Sequence, residues 1–318
     1  MKKTSLLALC LLTFLVACSD SNDSKPVVDL TPLLQQYILS SEDSVPEGVA
    51  FDSVDRAFYV TSLQGGSITR IDADGQESIF REPDSRAQLV GTKVDETNRR
   101  LWVCARLVDG IDNRVWVFDL GTGEMTMEFL LGALATDGSC NDLALDNAGT
   151  AYVSDSANPN IYQLDPDTGE GSLLVTDPLF ADITTLGLGL NGIIVTPDDS
   201  ALLVAKFVPA SIIYVSLPGG GAVKPIALTS AIPSPDGLAI LDGRLYSASG
   251  NSVSQISLSD DYTTGDVITV PQISGLSTAT VAESELYVVK SDVTNFVLGL
   301  PLNTPFEIFK VDRSAFDQ

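Results

Sequence analysis

Glu47 precedes GVAFD, Asn141 precedes DLALD, Asn191 precedes GIIVTPD and Asp236 precedes GLAILD. Two carboxylates and two amide oxygens thus stand at the heads of four similar apolar runs. Brought together, the carboxylates would repel one another unless a proton or a cation sat between them. Oxygen donors without nitrogen or sulfur suit a hard divalent cation, Ca²⁺ first and Mg²⁺, Mn²⁺ or Zn²⁺ behind it. The chain contains no histidine. That removes histidine-activated nucleophiles, histidine bases and the common histidine-ligated metal sites. Asn191-Gly192 and Asp236-Gly237 also read as plain turn dipeptides; Glu47 does not, because glutamate is not a favoured turn residue.

Such residues need elements that converge them. A run equivalent to Phe58-Tyr59-Val60 recurs at Leu101, Ala151, Leu202, Leu245 and Leu286, at steps of 43, 50, 51, 43 and 41 residues. Before each lies a first run (GVAFD, GTKVD, DLALD, GIIVTPD, GLAILD, TATVAE) and after each a third (SITRID, RVWVFD, NIYQLD, IIYVSL, SVSQIS, FEIFKV). Most units add a fourth apolar stretch: Glu77–Phe80, Met125–Leu131, Ser172–Val175, Val223–Leu228 and Val267–Val270. Four short strands per unit, with no convincing amphipathic helix, predict an all-β fold, a six-bladed β-propeller, in which stacked blades bury one another's faces. A coiled solenoid is the other arrangement such repeats allow. The sixth unit lacks a fourth strand, and the orphan segment Leu33–Leu39 (LLQQYIL) is expected to supply it, closing the ring. Residues 30–318 would then be one domain. First strands line the channel of a propeller, so Glu47, Val90, Asn141, Asn191, Asp236 and Ser277 would meet at one mouth.

PEGVAFD at 46–52, CNDLALDNAGTAYVSD at 140–155, NGIIVTPDDSALLVA at 191–205 and PDGLAILDGRLY at 235–246 resemble the regucalcin/gluconolactonase family of six-bladed propellers. The resemblance implies that Glu47, Asn191 and Asp236 hold a divalent metal, with Asn141 beside them toward substrate. It implies hydrolysis of a lactone or small ester, with Asp236 taking a proton during attack. The family's sugar-lactone enzymes typically carry an arginine two residues before the ND asparagine. Here that place is Ser139, and the sugar contact does not carry over. Lys206 and Lys290 end the second runs of units four and six; they read either as contacts for an anionic ligand or as solvated rim lysines.

The N-terminus pairs Lys2 and Lys3 with an apolar run from Leu6 to Val16, too short to span a bilayer comfortably. Leu15-Val16-Ala17-Cys18 resembles a lipoprotein cleavage box. The expectation is a signal peptide over 1–17, lipid on Cys18 and a tether to residue 29. That would anchor the domain outside the cytoplasm, on an outer membrane facing the periplasm, since Ser19 stands where an inner-membrane retention aspartate commonly lies. Cys104 and Cys140 fall at the same end of neighbouring units, where a disulfide and two buried thiols are both open. The 42 acidic against 18 basic residues give a net charge of −24 and argue against nucleic acid as a partner. Two functions fit: a metal-dependent hydrolase, or a non-catalytic propeller binding a ligand or protein, with or without a structural Ca²⁺.

Overall fold

The expected runs pair into antiparallel sheets in chain order. In the first unit Pro46–Asp52, Ala57–Ser62, Ile68–Asp72 and Glu77–Arg81 hydrogen-bond side by side. The second repeats this with Ala87–Asp95, Arg100–Leu107, Asn113–Asp119 and Met125–Leu130. The third uses Cys140–Leu145, Ala151–Asp155, Asn160–Asp165 and Glu170–Thr176, and the fourth Leu190–Val195, Ala201–Lys206, Ser211–Ser216 and Val223–Pro225. The architecture is all-β, a β-propeller built from four-stranded sheets. The structure, a computed structural model, describes residues 31–42, 44–108, 113–184 and 188–317. The expected signal peptide, Cys18 and tether lie outside the described residues, and the compact unit begins at Leu33.

The last two units share one larger sheet. Its order is Gln36–Ile38, Glu307–Lys310, Glu285–Lys290, Thr264–Ala282, Arg244–Leu258, Leu238–Leu241. Arg244–Leu258 bends back on itself at Gly250, whose φ of 50° suits glycine. Across that bend Gln255 donates to the Tyr246 hydroxyl at 2.9 Å. The N-terminal segment forms a strand of three residues, Gln36–Ile38, antiparallel to Glu307–Lys310. Tyr37 stands 5.1 Å from Phe58, which stands 5.2 Å from Tyr287, so aromatic packing ties the first unit to the last.

Burial follows the strand's place in its sheet. The second strands are covered on both faces, so they read as unbroken apolar runs; Leu101 to Ala105 are all fully buried. Outer strands such as Glu77–Arg81 are half open and mix charge with apolar residues. Aspartates at the ends of third strands build the next turn. Asp119 Oδ1 accepts from Gly121 and Thr122 N–H, and Asp165 Oδ1 from Asp167 and Thr168 N–H. These are Asx turns, closed by glycines at positive φ, Gly123 and Gly169.

Two expectations are corrected. The fourth stretch Val223–Leu228 splits at Pro225: Val223–Pro225 stays in its own sheet, while Ala227–Leu228 pairs parallel with Thr264 and Gly265 of the next unit. A short helix, Val293–Leu298, interrupts the sixth unit, where the sequence showed no amphipathic period. Its Val293 and Phe296 pack on the core around Val45, Leu63 and Phe306.

Candidate metal and hydrolase site at the strand starts

Each inner strand carries a register shift at the residues singled out in the sequence. The pairing slips by one residue between Pro46 and Val49, Leu89 and Thr92, Cys140 and Leu143, Leu190 and Ile193, and Leu276 and Ala279. Unit five does the same just outside its assigned strand: Asp236 N donates to Ala248 O while Ala248 N donates to Gly237 O. A bulge puts two residues opposite one and re-aims their side chains. Asn191-Gly192 and Asp236-Gly237 are therefore bulges at strand heads rather than turns.

The second bulge residue is usually glycine because the neighbouring inner strand passes very close. A Cβ on Gly48 would lie 2.3 Å from Val90 O, and one on Gly192 2.3 Å from Asp236 O. Gly192 N also donates to that carbonyl at 3.0 Å. Contacts of this kind run on through the series: Gly91 abuts Asn141 and Asp142, Asp142 Oδ2 accepts from Ile193 N, Gly237 N donates to Ser277 O, and Ser277 Oγ donates to Glu47 O at 3.3 Å. Gly192→Ala is expected to cost about 1–3 kcal/mol of unfolding free energy, the usual penalty for overpacking, measured by denaturant titration. An unchanged midpoint would mean that the strands are not held at this spacing.

The structure brings Glu47, Asn141, Asn191 and Asp236 to this one end of the inner strands. Glu47, Asn141 and the unforeseen Asp142 are buried, whereas Asn191, Asp236 and Arg106 keep partial access to solvent. Burial, then the charges of Asp236 and Asp142, push the Glu47 carboxyl well above its ordinary value, with Arg106 opposing them. Asp236 is likewise pushed well up, by burial and then by Asp142, against a hydrogen bond from the Asn191 amide and the charge of Arg106. The Asn191 Oδ1 is buried with no hydrogen-bond partner. Asp142 is already spoken for, accepting from Leu143 N at 2.8 Å and Ile193 N at 3.3 Å. Among the described residues no three His, Cys, Asp or Glu side chains gather as a metal cluster. A cation here would rest on two carboxylates, Glu47 and Asp236, and the Asn191 amide oxygen.

Asp142 could have been suspected from Asn141-Asp142, where other units have a small second residue. Arg106 comes from the far end of a second strand, Arg100–Leu107, and lies outside the aligned column of strand starts. Its Nε donates to Cys140 O at 2.9 Å. Cys104 and Cys140 form a disulfide with Cα atoms 5.5 Å apart, pinning that strand to the head of Cys140–Leu145. Both lysines fasten loops: buried Lys206 donates from Nζ to Leu179 O, and partly exposed Lys290 donates to Pro305 O and pairs with Glu307 at 3.5 Å.

These shifts carry a pH signature. Glu47 and Asp236 have higher pKa values folded than unfolded. Between those values the folded protein binds more protons than the unfolded chain, so stability is fully present below the ordinary carboxylate range and is lost as pH rises through the raised values. Surface aspartates held low by their turns, such as Asp119 and Asp165, are ionised in both states above about pH 5 and add no slope there. With EDTA present, the thermal midpoint should fall from pH 5 to pH 8, and Glu47→Gln should flatten the fall. A midpoint indifferent to pH would contradict the convergence of these groups.

Residues 45–291 match the family described as the SMP-30/Gluconolactonase/LRE-like region. No curated protein matches the chain significantly. Among solved structures, the chain is similar to the major allergen Mala s 1 of Malassezia sympodialis, with a TM-score of 0.72 at 15% identity over 89% of this chain and 97% of that one. It is similar to a gluconolactonase of Xanthomonas campestris, with a TM-score of 0.62 at 19% identity over 84% and 86% of the two chains. Virginiamycin B lyase of Staphylococcus aureus gives a TM-score of 0.57 at 15% identity over 87% and 97%. At these identities the likeness is one of fold.

Proposed function

The chain belongs to the SMP-30/Gluconolactonase/LRE-like family, and from that premise we propose that it is a divalent-metal-dependent hydrolase of a small lactone or ester. The observation that carries this reading is the orphaned Asn191 Oδ1 beside two carboxylates that repel each other, Glu47 and Asp236. That donor set fits a hard cation, Ca²⁺ first. Glu47, Asn191 and Asp236 would hold it, and when bound it would polarise an ester carbonyl as a Lewis acid.

The chain's own residues supply the rest. Asp236 is partly open to solvent at the strand heads, where its carboxylate can accept the proton of an attacking water. Asn141, buried at the neighbouring strand head, offers an amide to orient the substrate. Asp142 keeps its backbone partners and acts on the others through its charge.

The blade count belongs to this proposal too. Six strand heads in a chain of contacts, with Ser277 returning to Glu47, support a six-bladed ring. The pairing of Gln36–Ile38 with Glu307–Lys310 supports closure by the N-terminal strand. Lipid on Cys18 and a periplasm-facing outer-membrane location complete the proposal on the sequence alone. Mass analysis of the mature N-terminus tests that part; an unmodified chain starting elsewhere than Cys18 would refute it.

The function is tested with a panel of lactones and aryl esters on the purified protein, first with EDTA and then with Ca²⁺, Mg²⁺, Mn²⁺ or Zn²⁺ restored. Hydrolysis that vanishes on chelation and returns with one of these ions is expected. No metal-dependent hydrolysis of any substrate would turn the assignment to a binding propeller.

A further inference from the structure

Arg106 is built into this site in a way that hydrolysis as described leaves unexplained. Its Nε is committed to Cys140 O, the carbonyl just before Asn141. Cys104, two residues earlier on the same face of the strand, is bonded to Cys140 itself. Side chain and strand are therefore both fixed to the head of the third inner strand. Beyond the Nε bond, the guanidinium makes no hydrogen bond or ion pair with any described residue. Elsewhere in the chain Arg99 grips Asp52 and Asp55, and Arg313 grips Asp242.

A guanidinium with no further partner among the described residues is unexpected so close to carboxylates. The acceptors around it are occupied or assigned. Asp155, on its own side, accepts from the N–H groups of Ser139, Ala157 and Asn158 and from the Tyr162 hydroxyl. Asp142 is taken by two backbone N–H groups. Glu47 and Asp236 are the proposed cation ligands. What remains is a planar fork of two terminal nitrogens, positioned beside Asn141 and without an acceptor among the described residues. Guanidinium forks match carboxylates two bonds to two, a geometry that an ammonium cannot reproduce.

We propose that Arg106 determines specificity at this site by gripping a carboxylate carried by the substrate, so that the preferred lactone or ester is an anionic one. A neutral ester leaves the fork unpaired and forfeits a charge-assisted pair of hydrogen bonds. The site thus reads two features of one molecule: the reacting carbonyl near Asp236 and an acid group near Asn141. The choice of substrate class rests on the hydrolase reading, whereas carboxylate binding by Arg106 does not.

The test uses the purified full chain with Ca²⁺ present. Binding of glutarate and of its neutral diamide is measured by titration calorimetry, and kcat/KM is measured for mono-4-nitrophenyl glutarate and 4-nitrophenyl acetate. Glutarate, and not the diamide, should bind. Arg106→Gln should weaken glutarate binding about tenfold to a hundredfold, and the ratio of kcat/KM between the anionic and neutral esters should fall in step. Arg106→Lys keeps the charge and loses the fork, and should lie between the two; it also serves if the glutamine variant does not fold. Glutarate binding that is absent, or that is equal in all three proteins, overturns the proposal. Arg106-dependent binding without cleavage of either ester upholds it and removes the hydrolase reading. Cleavage of both esters in a ratio indifferent to Arg106→Gln does the reverse.

Discussion

Asp236→Asn should lower kcat on the best lactone or ester by at least about 10³-fold, within the range expected when a general base is lost. The substitution keeps shape and removes one negative charge, so the effect should fall on kcat more than on folding. The direction of the stability change is informative. Asp236 is partly buried and repelled by Asp142, so its ionised form weighs against the fold at neutral pH. In EDTA at pH 8 the variant should therefore unfold at the same temperature as the parent or higher. Loss of activity with retained or raised stability marks a residue kept for chemistry. Activity within tenfold of the parent would remove Asp236 from the mechanism; a large fall in the midpoint would make it a structural carboxylate.

The second large effect concerns the disulfide. Cys104 and Cys140 are 36 residues apart, and closing a loop of that size stabilises the fold by about 4 kcal/mol in the chain-entropy account. Replacing both by alanine should lower the thermal midpoint by on the order of 10 °C. It should also loosen the site, because the bond joins the strand bearing Arg106 to the strand head bearing Asn141. Activity of the double variant, assayed well below its own midpoint, should therefore fall as well. A variant as stable as the parent would show that the bond does not constrain the unfolded chain. One that is destabilised yet fully active would separate the bond from the site.

How much of this was legible in the sequence depended on whether the signal was periodic. Phe58-Tyr59-Val60 and its equivalents are second strands buried on both faces, and such runs announce themselves without knowledge of their partners. The strand heads Glu47, Asn191 and Asp236 could be aligned for the same reason. Their bulges could not be read, because a register slip is a property of two paired strands and leaves no period in either. Hence Asn191-Gly192 and Asp236-Gly237 looked like turns, although their glycines answer to the neighbouring strand's carbonyl or side chain. Arg106 was hidden for a related reason. It reaches the site from the end of a second strand, in a column where other units have Leu63 and Phe207, and only the third dimension brings it to Cys140. Pro225 could have warned that its strand would break, since it has no N–H for the ladder.

Whether the strand heads hold a cation decides the chemistry proposed for them. Calcium titration calorimetry on the metal-stripped protein at neutral pH, repeated with Glu47→Gln, measures that apart from any catalysis. One Ca²⁺ per chain, with affinity at least about tenfold weaker in the variant, is the result predicted when one of two charged ligands becomes an amide. No calcium binding by the parent, or binding unaltered by Glu47→Gln, would contradict the account.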